Sequence, residues 1–252
     1  MYIGPFESAR SKVKRANKHI DDLRAQLAAF SKSCLYLVFT KKDSDDGMFV
    51  ATIRQTAAVP EDVPLLIGDA AHNLRAALDI LMCDVLRHYK AVPSKHVKFP
   101  IFETRDQLVA AVKGGQVNRE CPPSVSDTLI NNLQPYVGGA GDSLLKLHDL
   151  DIQDKHILIV PVFTVTEVRD VVFIDTSGNS TIVRSLAISE SGEFNPMASS
   201  AEIKIEQYGS ATTQVLFDKG CAFSGLKVIP ALAELSQLVR AAIEKVEQAC
   251  SV

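Results

Sequence analysis

Residues 67–86, IGDAAHNLRAALDILMCDVL, constrain the fold of this chain more than any other stretch. Successive helical residues lie about 100° apart. The spacing therefore predicts a helix with Leu74, Leu78, Leu81 and Val85 on one side and Asp69, His72, Asp79 and Cys83 on the other. Its ends are expected near Val63 and Tyr89. Arg75 flanks the polar stripe, and Ala70, Ala71, Ala76 and Ala77 leave room for neighbouring elements to approach. Both sides are expected to meet protein, and a polar side that does so needs partners. The natural source of partners is residues 148–156, HDLDIQDKH, the other segment where imidazole, carboxylate and ammonium groups crowd together.

With 252 residues, 46% hydrophobic and 23% charged, the chain can build one large core or two small ones. A net charge of −3 and a pI near 6.1 argue against a long nucleic-acid duplex as partner, since that grip rests on many phosphate-neutralising Lys and Arg. Cys34, Cys83, Cys121, Cys221 and Cys250 are scattered and form no C-x-x-C pair, so a reducing, cytoplasmic location is expected. No apolar run reaches the roughly 20 residues of a membrane span, and the polar N-terminus lacks a signal-peptide core. No membrane partner is expected.

In chain order, Phe6, Ala9, Val13, Ala16, Ile20, Leu23, Leu27 and Phe30 alternate spacings of three and four, predicting a long helix with a narrow seam. That seam fits an intramolecular hairpin or a homo-oligomer contact through this N-terminal helix. Its outer face, with Lys12, Lys14, Arg15 and Lys18, reads as solvated surface. Residues 34–40 and 48–56 read as a β-hairpin around the turn at residues 43–47, which lacks the distal Glu of a calcium loop. Thr104 and Gln107 form a capping box for a short helix over residues 105–112. Pro122-Pro123 introduce another over residues 124–133, and Asp142 is expected to cap one over residues 143–153. The glycine-rich loop 137–142 has the look of a phosphate cradle, but no strand precedes it and no Lys-Ser/Thr follows, so a turn is the favoured reading. Residues 157–165, 170–174, 181–188, 201–207 and 213–217 predict an antiparallel meander. Pro161 makes the first of these an edge or bulged strand. Residues 230–249 close the chain as a helix.

If residues 143–156 are helical, His148, Asp151 and Lys155 share one side, with His156 at the helix-to-strand junction. Set against His72, Arg75 and Asp79, they admit three readings. One is a structural network in which buried charges satisfy one another. Another is a metal site using His72 and His148 or His156 with Asp69, Asp79 or Asp151, although no compact ligand motif is present. The third is metal-free acid–base chemistry on an anionic ester, with His72 or His148 as acid or base and Arg75 and Lys155 opposing developing negative charge. His19, His88 and His96 read as surface or loop residues, and Cys83 as a buried, inert thiol.

IGDAAHNLRAALDIL, FPIF at 99–102, LHDLDIQDKH and the closing V-x-F-x-x-G strand resemble a family of bacterial and phage-associated proteins of no assigned activity, whose members carry HNLRxALD and LDxxDKH motifs. The resemblance covers most of the chain. It implies a grouping of His72, Arg75, Asp79, Asp151, Lys155 and His156 without naming a reaction or a cofactor. Members often carry His where this chain has Ile80, so no mechanism through that imidazole is implied here.

The expected fold is α+β: a single domain over 1–252, with a helical part and its β-hairpin over 1–156, then an antiparallel sheet and terminal helix over 157–252. The working expectation is a hydrolase or phosphodiesterase acting on a nucleotide or RNA through His72, Arg75, Asp79, His148, Asp151, Lys155 and His156, with a small anionic ligand or nucleotide as partner. The alternative is a non-enzymatic ligand-binding or protein-interaction module whose polar network is structural.

Overall fold

The computed structural model describes residues 6–30, 36–55, 60–157, 159, 161–187 and 193–251. It is an α+β fold. The helices are α1 (Glu7–Phe30), α2 (Asp62–His88), α3 (Arg105–Gly114), α4 (Gln116–Glu120), α5 (Pro123–Asp127) with a π-helical turn (Thr128–Leu133), α6 (Asp142–His156) and α7 (Val228–Cys250). The strands are β1 (Tyr36–Lys42), β2 (Phe49–Gln55), β3 (Pro161–Arg169), β4 (Val171–Asp175), β5 (Ser180–Val183), β6 (Leu186–Ala187), β7 (Glu193–Ser199), β8 (Ile203–Gln207) and β9 (Ser210–Phe217). Two compact units divide the chain: Met1–Arg24, Glu61–Val160 and Phe217–Val252 form a helical one, Ala25–Pro60 and Pro161–Leu216 a sheet one. No helix among the described residues is long and apolar enough to cross a membrane.

In the helical unit, α2 buries Leu74, Leu78, Leu81 and Val85 completely, as its spacing requires. It packs against both α6 and α7. The α1 seam is buried from Phe6 to Leu23. Asn17 accepts from the Ser236 hydroxyl of α7 at 2.6 Å, Arg10 pairs with Glu247 of α7, and Lys12 donates to Asn73 of α2 at 3.3 Å. From Phe6 to Leu23 the seam is thus covered within the chain, while Leu27 and Phe30 are half-buried. His19 sits on the same side as Ala16 and Ile20 and is only 7% exposed, which corrects its expected place at the surface.

Thr104 and Gln107 make the expected capping box on α3. Asp142 does not cap α6: Gly141 occupies that position without a side-chain bond, and Asp142 lies in the first turn, pairing with Lys146 at 2.9 Å. The preceding loop satisfies its own amides. Gly139 N–H donates to Tyr136 O at 2.9 Å, Gly141 N–H to Gln134 O at 3.1 Å and Asp142 N–H to Gly139 O at 3.1 Å. A phosphate cradle needs such amides free, so these glycines make a turn.

The sheet unit holds three small sheets, ordered β1-β2-β7, β6-β3-β9 and β5-β4-β8. The hairpin is antiparallel from Tyr36↔Gln55 to Lys42↔Phe49, closed by Asp43 and Asp46 carboxylates that accept from the amides of Asp45 and Met48 at 2.9 Å each. Val38, Ile53, Val168, Phe173 and Ile203 form its buried core. Pro161 opens β3, which lies in the middle of its sheet. This corrects the expected edge or bulged strand: at the first residue of a strand the missing N–H costs no ladder bond. The expected strand over 181–188 is instead two, β5 and β6, with residue 188 outside the described residues. Phe194-Asn195-Pro196 carries turn signals, yet the segment forms β7. The strand sits at a sheet edge, and the Pro196 region matches a register shift opposite Ala51 and Ile53, where proline is tolerated.

Candidate functional site

α2 and α6 run antiparallel, because residue numbers fall along one as they rise along the other at each point of contact. Asp154 lies over Gly68, Asp151 meets His72, and His148 meets Arg75. Gly68 permits the closest approach: a Cβ there would stand 2.2 Å from Asp154 Oδ1. Burial, followed by the negative charges of Asp151 and Asp69, raises the Asp154 carboxyl above its ordinary value.

Two ionic groups occupy successive turns of this contact. In the first, the Asp151 carboxylate, 4% exposed, takes His72 Nδ1 at 2.9 Å and Lys155 Nζ at 2.6 Å, both from half-exposed side chains. In the second, the Arg75 guanidinium, 6% exposed, donates from Nη1 to Asp79 Oδ1 at 2.7 Å and from Nε to His148 Nδ1 at 3.2 Å. Asp79 Oδ1 also accepts from Phe99 N–H at 2.8 Å, tying the 99–102 segment to α2.

The two imidazoles are set in opposite tautomers by their partners. Guanidinium has no acceptor, so His148 must accept at Nδ1 and carry its proton on Nε2. A carboxylate only accepts, so His72 donates from Nδ1 and, when neutral, keeps a lone pair on its exposed Nε2. Burial first, and then the Arg75 charge, holds the His148 imidazole below its ordinary value. A depressed folded pKa means the unfolded state binds the proton first as pH falls. The stability from neutral His148 is therefore present above about pH 6.5 and is lost as pH drops through the folded value. Urea unfolding between pH 7.5 and 5 should show the native chain losing stability faster than His148→Gln, whose amide oxygen can still accept from Arg75. Parallel curves would refute the depressed titration of His148.

A cleft of about 630 Å³ opens on the second group only: Arg75 and His148 line it, together with Lys98, Arg119 and His96. Among the described residues that line it there is no Asp or Glu, in a chain whose net charge is −3. Its apolar wall includes Phe99 and Leu129, 2% and 1% exposed. Leu129 belongs to the π-helical turn, where Gln134 N–H reaches Leu129 O at 3.2 Å. Such turns recur at functional sites.

Comparison with protein-family models, curated proteins and solved structures finds no match. The α2–α6 contact brings together His72, Arg75, Asp79, His148, Asp151 and Lys155, and leaves His156 exposed at the end of α6, in no hydrogen bond or ion pair among the described residues. His72, Asp151 and Lys155 stand outside the cleft lining. Among the described residues, no group of three or more His, Cys, Asp or Glu is placed to hold a metal ion. Cys83 is half-buried, and burial pushes its thiol up, away from the nucleophilic thiolate. Sequence reasoning missed that Lys98 and Arg119 line the same cleft as Arg75. Their basicity was visible, but no periodicity links their loop and helix to α2.

Proposed function

We propose that the chain binds a small organic anion in the cleft beside Arg75 and His148. The observation that carries this reading is the charge of the lining, which has cations and imidazoles but no carboxylate among its described residues. A nearly dry guanidinium beside a neutral imidazole donor is suited to an anionic head group, because hydrogen bonds to charged groups strengthen where water is excluded. Asp79 holds Arg75 in place and offsets part of its charge. The exposed Lys98 and Arg119 supply longer-range attraction that salt will screen. Calorimetric titration with phenyl phosphate should give saturable one-site binding that weakens with added salt. Lys98→Ala and Arg119→Ala should each weaken it severalfold. No binding, or binding indifferent to both substitutions, would overturn the reading.

A second reading is hydrolysis of a nucleotide or RNA phosphodiester, and one observation favours it. His72 presents an exposed imidazole whose far nitrogen is anchored to a buried carboxylate, the arrangement of an oriented general base that takes a proton from attacking water. With bis(p-nitrophenyl) phosphate as probe, this reading requires nitrophenolate release that His72→Gln abolishes without loss of folding. Release unaffected by His72→Gln, or none at all, removes it.

A further inference from the structure

We infer that the anion taken by the cleft carries an aromatic or acyl body rather than a sugar, making it an aryl or acyl phosphate or carboxylate and not a nucleotide. This rests on the cleft being the ligand site, and it follows from which hydrogen-bonding roles the lining leaves open. The deep polar groups are Arg75 and His148. Both can only donate to a ligand, because guanidinium has no lone pair to offer and the one accepting nitrogen of His148 is already taken by Arg75 Nε.

The next polar side chain, Gln116, is committed to its own surroundings. Its oxygen accepts from Ser94 N–H at 3.0 Å, and its nitrogen donates to Val92 O at 2.8 Å and to Glu120 at 3.0 Å. Ser94 and His96 are exposed at the rim. Lys98 and Arg119, also exposed, can likewise only donate, and the remaining side chains of the wall are apolar, including Met82, Phe99, Ile101, Phe102, Val112 and Leu129. Ribose hydroxyls and the exocyclic amine of a base must donate hydrogen bonds. Buried against such a wall they would lose their water partners and find no side-chain acceptor, the costly half of the hydrogen-bond asymmetry. An aryl or acyl group loses nothing there and gains from leaving water. A volume of about 630 Å³ accommodates such a body, as it lies within the ordinary range for small-molecule sites.

The test compares 1-naphthyl phosphate, adenosine monophosphate and inorganic phosphate on the full chain by calorimetric titration. Naphthyl phosphate should bind at least tenfold more tightly than either of the others. Phe102→Ala, a change at a half-buried position, should weaken naphthyl phosphate by about tenfold and leave inorganic phosphate unchanged. Adenosine monophosphate binding as tightly as naphthyl phosphate would overturn the inference while leaving the anion site standing, and would mean that backbone carbonyls supply the missing acceptors. A Phe102→Ala variant that weakens both ligands equally would overturn it as well. If none of the three probes binds, the anion site itself fails.

Discussion

Asp79→Ala is expected to destabilise the helical unit by about 3–5 kcal/mol, more than the roughly 2–3 kcal/mol expected of Arg75→Ala, although the two substitutions break the same ion pair. The asymmetry comes from what each leaves behind. Without Asp79, the 6% exposed guanidinium loses the one carboxylate it pairs with among the described residues, and Phe99 N–H loses its acceptor. Without Arg75, the orphan is a carboxylate 35% exposed, which water can reach and which still accepts from Phe99. Urea unfolding of the two variants decides the matter. If Arg75→Ala proves equal or worse, burial of the remaining partner is not what sets the cost.

The Asp151 group should behave in the opposite way. His72→Ala and Lys155→Ala are each expected to cost about 1 kcal/mol, since their side chains are half-exposed and the carboxylate keeps one partner. Together they should cost about 3 kcal/mol or more, because a carboxylate 4% exposed is then buried with no cation. Asp151→Asn added to the double variant should recover most of that loss by removing the charge. Additive single effects, or no recovery, would show that Asp151 is solvated by other means. The comparison also bears on function. An activity lost in His72→Ala while stability barely changes belongs to the imidazole itself.

Much of this site was legible in the sequence because two segments share one period. Residues 67–86 and 148–155 each repeat polar groups at helical spacing and each carry an i,i+4 ion pair of their own, Arg75–Asp79 and Asp151–Lys155, to which the packing adds His72–Asp151 and Arg75–His148 between the helices. The same spacing also contained a signal that went unread: His19 stands at i+3 from Ala16 and next to Ile20, inside the α1 seam rather than outside it. Other features had no local signal. β7 exists because Asn195 and its neighbours reach a strand far away, with Thr52 and Asn195 bonded across 143 residues. The cleft depends on the path of the 94–102 segment, fixed in part by Asp79 holding Phe99. The Asp142 cap failed because the helix begins one residue earlier, with Gly141 in the capping position and Leu144 N–H donating to Gly141 O at 2.8 Å.

Because the chain passes between the two units at residues 24/25, 60/61, 160/161 and 216/217, neither can be finished as it leaves the ribosome. The hairpin waits for β7 before its second strand is paired on its other edge, and α1 waits for α7 before Asn17 and Arg10 find Ser236 and Glu247. Closing such distant contacts is slow compared with forming local ones. A nascent chain halted before Val228 would leave the α7-facing side of α1 without its cover, an amphipathic stripe of the kind that chaperones hold and that aggregation recruits.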